Sequence, residues 1–153
     1  MADTINPDDF VEDASAKGIA EIDSGKLALQ KSTSTAVRTF AQKMIDDHTA
    51  TNKELADIAK RKNLEIASDA ELVNKAKAFA LKQREGESFD AAYAKSQVTA
   101  HENAIELFQK AAKSSDADIS SFATAKLPKL QQHLHMAHDL SAAATTIKSN
   151  TKQ

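Results

Sequence analysis

Apolar residues recur along this chain every three to four positions, the period of an α-helix buried on one side. The clearest stretch surrounds Phe40-Ala41-Gln42-Lys43-Met44-Ile45-Asp46-Asp47-His48-Thr49. At about 100° per residue, Val37, Phe40, Met44, Thr51, Leu55 and Ile58 share one stripe, with His48 near its middle. An imidazole there faces the core, where a polar group needs a hydrogen-bond partner or a metal.

The same period predicts the other elements. Asn6 as N-cap and Pro7 at the first helical position open a helix to about Lys31, with Val11, Ala14, Gly18, Ile22, Gly25 and Leu29 inward. Gly18 and Gly25 suit close helix approach, and Glu21 lies on the flank of that stripe. Ser32-Thr33-Ser34-Thr35 is a turn with capping residues, so a second helix, about 34–62, folds back and ends at Asn63-Leu64. A shorter helix follows Ser68-Asp69, from about 69 to 84, closed by Gly86 with Ser88. Phe89 starts a third long helix, to about Lys113, with Tyr93, Gln97, Ala100, Ala104, Leu107, Phe108 and Ala111 inward and His101 on the flank. After Ser114-Ser115-Asp116 the last helix, about 117–147, packs through Phe122, Ala123, Leu127, Leu130, Leu134, Ala137, Leu140 and Ala144. His133 and His138 flank that stripe and His135 points away, Pro128 favours a local kink, and the polar residues from Ile147 onward fray.

The two halves are weakly alike. Each is a helical hairpin, and a connection of about 26 residues, 63–88, joins them. A 16-residue helix rises about 24 Å, enough to carry the chain back along a bundle. The expected fold is therefore all-α: a ferritin-like four-helix bundle with a long crossover containing an extra short helix. It forms one domain, 1–153, with its core at about 7–147.

Composition narrows the chemistry. Three Gly, two Pro, no Trp and no Cys suit helices and exclude disulfides, thiolate metal sites and cysteine nucleophiles. Net charge is −2 with no basic stripe, which argues against nucleic acid as a partner. No apolar run approaches a transmembrane segment. Lys- and Glu-rich outer faces argue against a large apolar interface but leave room for a homodimer. The N-terminus lacks the pattern of a signal peptide, and Met1 before Ala2-Asp3 is compatible with a start codon added to a mature, exported chain.

Candidate chemistry comes from heights along the bundle. Counted from the hairpin turns, Glu21 is about 12 residues away, His48 about 15, His101 about 14 and His133 about 18, all near mid-height at about 1.5 Å per residue. One comes from each long helix. Glu, His, His, His is a sound ligand set for a transition metal ion such as Zn, Cu or Fe, with Asp47 as a fifth member or as the acceptor that fixes an imidazole tautomer.

Each residue also has an ordinary reading. His48 can be a hydrogen-bonded core histidine, Glu21 can pair with Lys17 or Lys26, and His101 and His133 can be solvated. His135 and His138 beside Asp139 fit a solvated face, and Met44 a core filler. A di-iron carboxylate centre needs Glu-x-x-His on two helices, whereas Ile45-Asp46-Asp47-His48 and Leu130-Gln131-Gln132-His133 contain no Glu, so ferroxidase or oxygenase chemistry has no support. No phosphate loop or nucleophile elbow stands out, and the sequence leans away from an enzyme.

Glu21-Ile22-Asp23-Ser24-Gly25-Lys26-Leu27-Ala28 and Phe40 to His48, with Phe89-Asp90-Ala91-Ala92-Tyr93, His101 and Leu127-Pro128-Lys129-Leu130-Gln131-Gln132-His133-Leu134, resemble a bacterial exported ferritin-like family. It is a domain of unknown function often labelled an outer membrane protein. The resemblance runs from about residue 10 to 140. It implies a helical bundle made with a signal or lipoprotein peptide, since removed, and sent to the periplasm or cell envelope, with no established activity. The family pattern has an acid, a His and often a Met on the second and third helices. Met44, Asp47 and His48 keep it, but Gln97 and Ala100 stand before His101 where the family tends to have Met and Asp. That departure argues against a symmetric Met/His copper site.

The expectation is a soluble bacterial-envelope protein that binds or buffers metal through Glu21, His48, His101 and His133. The alternative is a structural or stress-related envelope protein whose core histidines are only hydrogen-bonded.

Overall fold

The computed structural model describes residues 4–151, with side chains to residue 144. Residues 1–3, 152 and 153 lie outside the described residues, and the backbone stays helical past Ile147, where fraying was expected, to Thr151. The described residues form helices without strands: α1 (Pro7–Lys31), α2 (Thr35–Lys62), α3 (Leu72–Lys82), α4 (Gly86–Ala112) and α5 (Ala117–Thr151).

Local chemistry sets the ends. The Ser34 side chain accepts a hydrogen bond from Val37 N–H at the start of α2. Asn63 ends α2 in the left-handed conformation (φ 55°), where Leu64 N–H reaches back to Ala59 O at 2.8 Å, with Lys60, Arg61 and Lys62 in the last turn. Asn6 occupies the N-cap of α1 but makes no side-chain capping bond. Gly86 does not close the crossover helix as its sequence position suggests; it stands at the start of α4, at φ +58°. α5 is helical through Pro128.

Two apolar clusters make the core. At one end Phe10, Leu55, Ile58, Phe108, Ile119, Phe122 and Leu130 pack together, with Phe10 edge-on to Phe108 at 5.1 Å between ring centroids. At the other end Ala28, Phe40, Met44, Leu81, Phe89, Tyr93 and Leu140 form a second cluster. The membership of each cluster fixes the directions: α1 and α5 run one way, α2 and α4 the other. α3 carries the chain back between α2 and α4. Lys62 pairs with Asp116 (2.7 Å) at one end, and Lys31 donates to Lys82 O and Glu85 at the other.

The inward faces differ from the sequence stripes in one consistent way. On α1, Glu21 and Ala28 are buried, while Ile22 and Leu29 are half-buried. On α4 and α5, His101 and His133 are buried and Ala100 and Leu134 half-buried. Each inward face is wider than its sequence stripe, most of which stays buried, because α1 meets both α2 and α4, and α5 meets both α4 and α2. The crossover helix is shorter than expected. Residues 63–71 form a connection pinned where Ala67 N–H donates to Ser15 Oγ (2.8 Å). Gly18 and Gly25 do mark close approach: a Cβ at Gly25 would lie 2.9 Å from Ile45 Cγ1 and 3.1 Å from Ala41 O of α2.

Candidate metal centre

Between the two apolar clusters lies a layer of buried polar side chains: Glu21 of α1, His48 of α2, Gln97 and His101 of α4, and His133 of α5. Glu21 and His48 are each 8% exposed and the other three 1%. His48, His101 and His133 converge. Their ring centroids are 5.3–5.7 Å apart, and one ring nitrogen from each lies within 4.8 Å of the others.

The hydrogen bonds assign the tautomers. His101 Nδ1 is 2.8 Å from Gln97 O, a carbonyl that can only accept, so Nδ1 carries the proton and Nε2 keeps its lone pair. His133 Nε2 is 2.8 Å from Asp47 Oδ2. Burial would raise the Asp47 carboxyl, but hydrogen bonds from His133 and Lys43 outweigh it and hold Asp47 below the usual carboxylate range. Ionised, Asp47 accepts, so His133 donates through Nε2 and its lone pair sits on Nδ1. His48 Nε2, His101 Nε2 and His133 Nδ1 are all buried with no hydrogen-bond partner.

Electrostatics keep these imidazoles neutral. Burial, with the neighbouring imidazoles, pushes His48 down to about 3. Burial likewise brings His101 to about 4 against the opposing Gln97 carbonyl, and lowers His133 despite Asp47. Neutral imidazole is the form that binds metal. Nitrogens about 2.0–2.1 Å from a tetrahedral Zn stand about 3.3–3.4 Å from each other, so modest ring movement would bring this group to coordinating distance.

Glu21 does not belong to the three-histidine group, but it lines the same cavity of about 390 Å³. Burial raises its carboxyl to about 8, with the Gln97 amide and Lys17 opposing, so it is mostly protonated at neutral pH. Its Oε2 has no partner, and Lys17 and Lys26 form no ion pair with it. Asp47 is partly buried and reaches the group only through His133. Met44 is core, as its ordinary reading had it. The His135 side chain is 80% exposed and faces Asp139 at 3.6 Å.

Two polar residues, one in the layer and one beside it, were not among the sequence candidates. Gln97 supplies the carbonyl that orients His101, and its amide lies 3.5 Å from Ser24 Oγ. Its position on the inward stripe, one turn before His101, was the available signal. Tyr93, stacked on Phe89 within the adjoining cluster, has a buried hydroxyl without a partner; burial, then Glu21, raises its pKa. Nothing in an apolar stripe distinguishes such a tyrosine from core filler.

Comparison with protein families matches the chain, over residues 2–140, to the family described as a domain of unknown function (DUF4142). The chain belongs to the DUF4142 family. Comparisons with curated proteins and with solved structures each find no match. This DUF4142 chain is thus an all-helical bundle carrying a buried three-histidine group that could hold a metal ion.

Proposed function

We propose that this DUF4142 protein binds a transition metal ion, of the Zn, Cu or Fe class, in the middle of its bundle and serves in metal binding or buffering. His48, His101 and His133 would supply the nitrogens, Glu21 a carboxylate oxygen, and Asp47 would hold the His133 tautomer. One observation carries the reading: three neutral buried imidazoles, each with an unpartnered nitrogen, bring one ring nitrogen apiece within 4.8 Å of the others. A structural role for hydrogen-bonded histidines would pair those nitrogens, because a buried polar atom without a partner costs about 1–3 kcal/mol. A cation would satisfy all three.

The proposal extends to a bacterial periplasm or cell envelope, on the strength of the sequence resemblance. No helix among the described residues is long and apolar enough to cross a membrane. Fractionation of the source cells checks that location. The metal reading is tested by mass-spectrometric metal content after equilibration with Zn, Cu or Fe and extensive dialysis, beside His48→Ala and His101→Ala. About one ion per chain held by the native protein and lost in both variants is the expected result. No retained ion, or equal retention in all three proteins, overturns it.

A further inference from the structure

The cavity beside the histidines carries a charge pattern that a metal site does not explain. Its lining includes Lys17, Lys77, Arg84, Lys95, Lys126 and Lys129, against one carboxyl group, Glu21. Lys126 pairs with Glu54, and Lys129 approaches Asp47 at 3.8 Å. Lys77 and Lys95 are exposed and have no carboxylate partner among the described residues. The chain as a whole is slightly acidic, so the concentration of cations here is local. A bare dication shares the sign of this field and is repelled by it, whereas an anion is drawn in.

The walls have a different character. Leu55, Ala78, Leu81, Ala104, Phe108 and Leu130 line the space between α1, α4 and α3, with α2 and α5 behind it. A volume of about 390 Å³ falls in the range of small-molecule sites. α3, which buries only Leu81, forms one side of the cavity and contributes Asn74 and Lys77 to its lining, with Arg84 just beyond its end.

We propose that this cavity binds a small organic anion, an apolar body with a carboxylate or sulfonate head, with the body against the alanine- and leucine-lined wall and the head among Lys77, Lys95 and Lys17. The apolar wall recognises the body, and the cationic mouth draws the head. This binding does not require the metal, so it stands or falls separately from the metal reading.

The experiment uses chelator-treated full-length protein and two fluorescent probes. One is 1-anilinonaphthalene-8-sulfonate, an anion; the other is N-phenyl-1-naphthylamine, nearly the same aromatic body without charge. Saturable binding of the anion, displaced by octanoate, is expected. Lys77→Gln with Lys95→Gln should weaken the anion about five- to tenfold while changing the neutral probe less than about twofold. Both substitutions are at exposed positions, and unchanged circular dichroism confirms that the variant is folded.

Phe79 is 68% exposed on the outer side of α3 and offers a rival apolar contact. Loss of binding in Phe79→Ser, with none in the lysine variant, would assign the probe to that surface and overturn the proposal. Absence of saturable binding, or equal weakening of both probes by the lysine variant, would overturn it too.

Discussion

Replacing Glu21 by Gln tests the most unusual electrostatic feature of the polar layer. Its carboxyl ionises at about 8 in the folded chain, against an ordinary value of 4.5, because burial penalises the charged form. Between those values the folded protein holds a proton that the unfolded chain has released. Raising the pH therefore favours unfolding, by about 1.4 kcal/mol per unit. From about pH 5.5 to pH 8 the contribution amounts to roughly 3 kcal/mol. His48 and His101 act in the other direction, losing stability as the pH falls below 6.5 toward their lowered values. Those histidine terms are common to both proteins and cancel in the difference.

Urea unfolding of chelator-treated native protein and Glu21→Gln, followed by far-ultraviolet circular dichroism, measures that difference. The variant's stability relative to the native protein should rise by roughly 3 kcal/mol between about pH 5.5 and pH 8. Saturation with a metal that the native protein retains should reduce that rise, since a cation stabilises the carboxylate. A pH-independent difference in the chelated proteins would show that Glu21 is already ionised when folded and would refute the argument from burial.

Gly25→Ala puts a methyl group against Ile45 and the Ala41 carbonyl; about 1–3 kcal/mol of overpacking should exceed the helix-propensity gain and lower the melting temperature. Asp47→Asn removes the charged acceptor that orients His133, and competition with a chromogenic chelator should show metal affinity down about 10- to 100-fold. Met44→Leu, in a fully buried apolar setting, should cost less than about 1.5 kcal/mol in urea unfolding and leave metal content unchanged. Phe79→Ser, on the outer side of α3, should change stability by no more than about 0.5 kcal/mol in the same assay.

The period of apolar residues located the long helices because each buries a sector of its surface over many turns. The buried sector itself was read too narrowly. Glu21, His101 and His133 lie on the flanks of their sequence stripes, and a polar residue on a flank ordinarily reaches water. Here a second neighbouring helix covers that flank, as when α4 lies beside α1, which a single-helix pattern does not contain. Height was legible where facing was not: residue counts from the turns brought His48, His101 and His133 to one level. The start of α3 was misread for another reason. Ser15 holds Ala67 from 52 positions away, and no local propensity reports such a bond.

The division of the core also has a kinetic consequence. His48 belongs to the hairpin of α1 and α2, whereas His101 and His133 belong to that of α4 and α5. Within each hairpin the contacts are close in sequence and form early; the three imidazoles meet only when the hairpins dock. Across that seam α2 touches α5 far less than either helix touches its own hairpin partner. An ion held there would be a late bond, absent from the transition state. It would barely hasten folding but would slow unfolding, giving the loaded bundle a lifetime out of proportion to its speed of assembly.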